Sequence, residues 1–166
     1  MKNITLIGMP GAGKSTIGVI LAKSLLCDFT DTDLIIQKKT GKSLCNIIDE
    51  TGTDGFLQLE NNIICEESFT NCIIATGGSA VYGEEAMAKL KEISTVVFLD
   101  VSVRELEKRL SNIRTRGVAM KKGTTIGELY NERLPLYQKY ADITVDCTGL
   151  SAEECVEKIV EGVVSK

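Results

Sequence analysis

Gly8-Met9-Pro10-Gly11-Ala12-Gly13-Lys14-Ser15 fills the pattern G-x-x-x-x-G-K-[ST], between an apolar run at 4–7 and a helix-like run at 16–26. A strand, a glycine-rich loop and a helix in that order make a cradle for phosphate. The loop N–H groups point into one hollow, and the helix begins with its positive end facing the same way. Gly11, Ala12, Gly13, Lys14, Ser15 and Thr16 are therefore candidate nucleotide-binding residues. Lys14, projecting from the loop, would reach the β- and γ-phosphates as a catalytic cation, and the Ser15 hydroxyl would ligate Mg²⁺. A flexible glycine turn is the alternative reading, and the flanking strand and helix argue against it.

Asp31-Thr32-Asp33 stands at the carboxyl end of a second short predicted strand. Residues two apart in an extended chain point the same way, so both carboxylates can face one cleft. In open α/β sheets that cleft lies outside the carboxyl ends of the strands, where the phosphate loop also sits. One carboxylate could stand near Mg²⁺ while the other accepts a proton from an attacking hydroxyl. Either could instead cap the helix that Leu34-Ile35-Ile36 begins. Gly77-Gly78-Ser79 offers bare backbone at the end of a third strand, where a small substrate could approach closely. An Asp closing the apolar run 96–99, Asp100, reads equally well as a turn residue.

The elements that must position these groups alternate. Strands are predicted at 4–8, 29–31, 72–76, 95–99 and 142–146. Helices are predicted at 14–26, 33–39, 43–50, 55–68, 84–90, 103–111 and 152–164. Such alternation implies an α/β protein whose mostly parallel sheet is covered on both faces. No linker or repeat divides the 166 residues, which predict one domain. Residues 112–127 differ in character, with Arg114, Arg116, Lys121, Lys122, two glycines and few apolar anchors. A mobile lid that brings an Arg to the transferred phosphoryl group competes here with a solvated basic loop, and the phosphate loop favours the lid.

Composition narrows the function. A net charge of −4 argues against a nucleic-acid binder, and no apolar run approaches the length that spans a bilayer. Six irregularly spaced cysteines and no histidine exclude a mixed metal site, leaving reduced thiols in a cytoplasmic protein. Without histidine, the general base must be a carboxylate.

The ordered set resembles the shikimate kinase family, a P-loop group related to nucleoside-monophosphate kinases. It comprises the phosphate loop with Thr16 and Gly18, Asp31-Thr32-Asp33, Gly41, Phe56, Glu60, Gly77-Gly78, Arg116, Arg133-Leu134-Pro135-Leu136-Tyr137 and Ala141-Asp142. The resemblance implies a three-layer αβα fold with five parallel strands in the order 2-3-1-4-5. It implies Asp33 as base and ligand of the substrate hydroxyls, Asp31 beside Mg²⁺, Arg109 along the adenine and Arg116 as the catalytic lid arginine. Arg133 would grip the substrate carboxylate, with Gly77 and Gly78 lining the substrate pocket. ATP and a small hydroxylated acid are the implied partners of an expected monomer, in the pathway to aromatic amino acids.

Three departures stand out. Where that family carries a carboxylate-binding Arg directly after Phe56, this chain has Leu57; its triple glycine is Gly77-Gly78-Ser79; its lid reads Arg116-Gly117-Val118-Ala119. A Leu cannot supply the bidentate fork of a guanidinium. Phosphorylation of shikimate to shikimate 3-phosphate is the leading expectation. A kinase of the same fold acting on gluconate or another polyol, and a nucleotide-binding protein without transfer activity, are the alternatives.

Overall fold

The computed structural model describes residues 2–110 and 117–165. Arg114 and Arg116 lie outside the described residues. Strand β1 (Asn3–Ile7) runs into the phosphate loop and helix α1 (Lys14–Leu25). Then follow β2 (Asp28–Asp31), α2 (Thr32–Thr40), α3 (Leu44–Glu66), β3 (Cys72–Ala75), a 3-10 turn (Ala80–Tyr82) and α4 (Glu84–Ile93). The second half runs β4 (Ser94–Asp100), α5 (Val103–Leu110), α6 (Ile126–Tyr140), β5 (Ile143–Asp146) and α7 (Ala152–Val164). The strands pair in parallel in the order β2-β3-β1-β4-β5, as the resemblance implied.

The order places β1 in the middle, with every residue buried. From β1 the chain goes to the edge strand β2, returns to β3 beside β1, then crosses to β4 and β5 on the other side. The crevice beyond the carboxyl ends of the strands opens where the winding reverses, and a ligand seats at such a point. The central strand carries two polar side chains with internal partners. Asn3 donates to the carbonyls of Phe69 and Ile93 and accepts from the Cys72 N–H, while Thr5 bonds Ser94 at 2.7 Å. Around them Ile4, Leu6, Ile73, Val97, Phe98 and Ile159 form the main core. Phe98 stacks on Tyr137 with ring centroids 5.0 Å apart, tying β4 to α6.

Three elements differ from expectation. The two helices predicted at 43–50 and 55–68 are one path, α3, kinked at Gly52, whose φ of +73° breaks the helical backbone. Residues 126–140 form the helix α6, which the sequence pattern did not suggest. Its interior Pro135 depresses the helical signal, because proline lacks an N–H and clashes with the preceding turn. Its start is nevertheless well specified: Thr125 and Glu128 form a reciprocal capping box. The described part of the lid segment is also better anchored than its composition implied. Ala119 is buried in a second apolar cluster with Ile36, Leu44, Ile47, Phe56 and Ile63, and Val118 and Met120 pack on the main core.

Candidate active site

A cavity of about 510 Å³ lies over the carboxyl ends of the strands. One end is walled by residues 10–17 of the phosphate loop and α1, with Arg109, Leu110, Cys147, Leu150 and Cys155 around its outer part. The other end is walled by Asp33, Leu44, Phe56, Thr76, Gly77, Gly78, Ser79, Val118, Ala119 and Arg133. The fold therefore brings Lys14, Asp33, Gly77, Gly78, Arg109 and Arg133 to one hollow.

At the first end the polar groups are already engaged. The Lys14 side chain is buried rather than projecting, because its ammonium donates to the loop carbonyls of Gly8 at 2.8 Å and Met9 at 2.9 Å. Burial pulls it down to about 8; the Asp33 charge opposes the fall, and the Arg133 guanidinium adds to it. Ser15 donates to Asp31 Oδ2 at 2.5 Å, while Asp31 Oδ1 accepts from the Asp33 N–H at 2.9 Å. Asp31 thus caps α2 and holds Ser15 at once, whereas the sequence had left these roles open between the two aspartates. Arg109 donates to the Gly11 carbonyl at 3.0 Å and pairs with Glu105, which lays its guanidinium along the loop. Cys147 and Cys155 border this end as free, buried thiols.

The second end is different. Asp33 sits in the first turn of α2, and burial, then the neighbouring Asp31 charge, push its carboxyl up to about 6 against the pull of Lys14. Thr32 beneath it accepts the Gly77 N–H at 3.2 Å, tying the start of α2 to the end of β3. Gly77 leaves room for two carboxyls: a Cβ there would lie 2.5 Å from Glu60 Oε1 and 2.8 Å from Asp33 Oδ1, and both would have to move. At Gly78 a Cβ would strike Pro10 and approach Arg133 Nη1 at 3.0 Å. The two glycines form a floor on which Asp33, Glu60 and Arg133 converge.

Glu60 and Arg133 are each 1% exposed. Arg133 donates through Nη2 to the Ala119 carbonyl at 2.6 Å and lies 5.3 Å from the Tyr82 ring centroid. Its Nε and Nη1 find no hydrogen-bond partner among the described residues, and neither does Glu60 Oε1. Glu60 Oε2 accepts the Ser79 hydroxyl at 2.6 Å. Burial pushes the Glu60 carboxyl up to about 7; the Ser79 bond opposes this, the Asp33 charge adds to it, and Arg133 and Lys14 oppose it. Buried polar atoms without partners are uncommon in a folded chain. Here they lie together beside one end of a cavity that Arg133 lines and Glu60 backs from behind Gly77, as expected of a site built for a polar ligand carrying both an anionic group and hydroxyls.

Sequence reasoning singled out Glu60 only as part of a resemblance. Its signal was faint, a lone Glu at an otherwise apolar helix face with Phe56 and Ile63. Leu57 does not line the cavity. It is half-buried against the Ile36–Phe56–Ala119 cluster, one turn before Glu60 on α3. Asp100 accepts the Tyr130 hydroxyl at 2.9 Å, which agrees with its reading as a structural residue.

The family model described as shikimate kinase matches residues 10–164. The chain belongs to the shikimate kinase family. A shikimate kinase of Francisella tularensis subsp. novicida (strain U112) is 38% identical over 162 residues, covering 95% of this chain and 92% of the relative. The shikimate kinase of Thermodesulfovibrio yellowstonii is 37% identical over 164 residues, covering 97% and 94%. Among solved structures, shikimate kinase from Acinetobacter baumannii in complex with shikimate superposes with a TM-score of 0.92 at 30% identity, covering 99% of this chain and 94% of that one. Membership of the family makes the chain an ATP-dependent kinase acting on a hydroxyl group.

Proposed function

We propose that this chain transfers the γ-phosphate of ATP to a hydroxyl of shikimate, giving ADP and shikimate 3-phosphate. The carrying observation is the set of unpartnered buried groups at the acceptor end, Arg133 Nε and Nη1 and Glu60 Oε1, beside Asp33 and over the Gly77-Gly78 floor. That set matches a carboxylate and adjacent hydroxyls. The relative solved in complex with shikimate supports the choice of acceptor.

In this reading the N–H groups of Gly11, Ala12 and Gly13 and the first turn of α1, with Ser15 and Thr16, take the phosphates. Lys14 exchanges its two loop carbonyls for phosphate oxygens, and Arg109 lies along the base. Arg133 binds the acceptor carboxylate through its two free nitrogens. Asp33 accepts a hydrogen bond from the attacking hydroxyl and takes its proton as the oxygen bonds to phosphorus. A carboxylate raised to about 6 is ionised at neutral pH yet more basic than an ordinary Asp, which suits that step. Leu44, Phe56, Val118 and Ala119 keep water from the transferred group. Arg116, outside the described residues, would stabilise the charge on the transferred phosphoryl.

Ser15 Oγ and Asp31 Oδ2 lie together as an all-oxygen pair at the phosphate end, a donor chemistry that fits Mg²⁺. When bound, that ion neutralises triphosphate charge. The undivided sheet supports a single domain, and six free thiols support a reducing compartment, the cytoplasm. Among the described residues no helix is long and apolar enough to cross a membrane.

Leu57 favours a second reading, a different polyol acid as acceptor, because among the described residues Arg133 then holds the carboxylate without a second arginine. A coupled ADP-release assay over shikimate, gluconate and other hydroxy acids, sugars and nucleosides, with a control lacking acceptor, decides. Shikimate-dependent release is expected. Release with another acceptor and none with shikimate would reassign the substrate.

A further inference from the structure

Ser79 has no chemical part in the reaction above, yet the acceptor end depends on its hydroxyl. The side chain is buried, and its hydroxyl donates to Glu60 Oε2. With Oε2 held, Oε1 packs against Gly77, where Asp33 Oδ1 also comes close from α2. On α3 itself, position 57 is one turn from Glu60 and on its side of the helix, so a donor there could reach the carboxyl. Leu57 offers none. Ser79 is therefore the one hydrogen-bond donor to Glu60 among the described residues.

We propose that Ser79 is an acceptor-positioning residue: by holding Glu60 Oε2 it presents Oε1 to the hydroxyl of the acceptor that neighbours the one Asp33 activates. The proposal rests on the reading of the chain as a hydroxy-acid kinase. It makes Glu60 and Asp33 a pair of acceptors for two adjacent hydroxyls, with Arg133 fixing the far end of the molecule. The charged groups that face Glu60 are Asp33 of α2, Arg133 of α6 and Lys14 of α1, and the Tyr137 hydroxyl of α6 also senses it. Ser79 favours the ionised carboxyl, so its removal drives Glu60 further up from about 7. Glu60 is then protonated over more of the neutral range and offers a negative oxygen to a hydroxyl less often. A bond to a charged group that is lost in this way weakens binding roughly tenfold or more.

The test compares the full chain with Ser79→Ala and Ser79→Thr, measuring acceptor KM, ATP KM, kcat and the thermal midpoint from about pH 5.5 to about 9, a range that spans carboxyl titration near neutrality. Ser79→Ala is expected to raise the acceptor KM roughly tenfold and to leave kcat and ATP KM within about twofold. The pH below which acceptor KM climbs should move upward, and Ser79→Thr, which keeps the hydroxyl, should restore both. If Ser79→Ala does not fold, Ser79→Gly removes the same hydroxyl without adding volume and carries the same expectations. Wild-type acceptor KM together with a wild-type pH profile in the variant overturns the proposal, whatever the thermal midpoint does. A wild-type chain that phosphorylates no acceptor in the panel overturns the functional reading, and this proposal with it. That result is visible before any substitution is made.

Discussion

The two ends of the cavity solve opposite problems. At the phosphate end Lys14, Ser15 and Arg109 each have a protein partner: Lys14 on Gly8 and Met9, Ser15 on Asp31, Arg109 on Gly11 and Glu105. At the acceptor end Arg133 and Glu60 are buried with three of their polar atoms unpartnered among the described residues. In the proposed function the first end would exchange one set of hydrogen bonds for another when a nucleotide arrives. The second would hold charge in a desolvated place until an acceptor supplied partners. Desolvated groups discriminate strongly, because an acceptor lacking one hydroxyl or the carboxylate leaves a buried group unsatisfied. Nucleotide affinity is thus assigned to a local loop, and acceptor identity to a few groups from distant elements.

Substitutions at the two ends are expected to fail differently. The largest effect is expected from Asp33→Asn, which keeps shape but cannot take the proton. Its kcat should fall ~10²–10⁴-fold with ATP affinity little changed. Equal losses in rate and ATP affinity would move Asp33 to the metal and phosphate side. Lys14→Ala comes next, with a loss of about 10²–10³ in kcat in a protein that still unfolds cooperatively. Wild-type turnover in folded Lys14→Ala would remove Lys14 from the mechanism.

The stability of the acceptor end can be read from pH. The Glu60 carboxyl in the folded chain sits at about 7, above its ordinary value of 4.5. The folded state therefore binds this proton more tightly, and its stability falls as pH rises from the ordinary value through about 7. Glu60→Gln should accordingly be more stable than the natural chain at pH above 7, by on the order of 3 kcal/mol, and gain little in mild acid. Acceptor KM should rise in the same protein. Thermal or urea unfolding across pH measures the first, and a gain that is constant with pH would mean the carboxyl does not titrate as described.

The smallest effect should come from Leu57→Arg. Its guanidinium, one turn from Glu60, can reach that carboxyl and add a second cation for the acceptor carboxylate, so KM for shikimate should fall roughly three- to tenfold. An unchanged KM would show that Arg133 and the Ser79–Glu60 pair suffice without it.

Local chemistry was legible in the sequence wherever short-range patterns carried it. The phosphate loop, the Asp31–Asp33 pair, the five strands and most helices follow from motif spacing and hydrophobic period, since each is specified by neighbours in the chain. Helix α6 was not legible, because Pro135 masks a helix that packing and the Thr125 cap sustain. Nor was the docking of Ala119, whose burial depends on residues some sixty positions away in sequence, such as Phe56. The acceptor site was visible only as scattered residues: Glu60 amid apolar neighbours, Ser79 after two glycines, Arg133 in a stretch without an assigned element. Their partnership is decided by the parallel sheet, which brings the ends of β2 and β3 beside α3 and α6. Burial is decided there too, and burial is what turns a common Glu into a carboxyl near neutrality and leaves an Arg with two nitrogens unpartnered among the described residues. A sequence records which groups are present, whereas their desolvation and missing partners arise only when distant segments close around them.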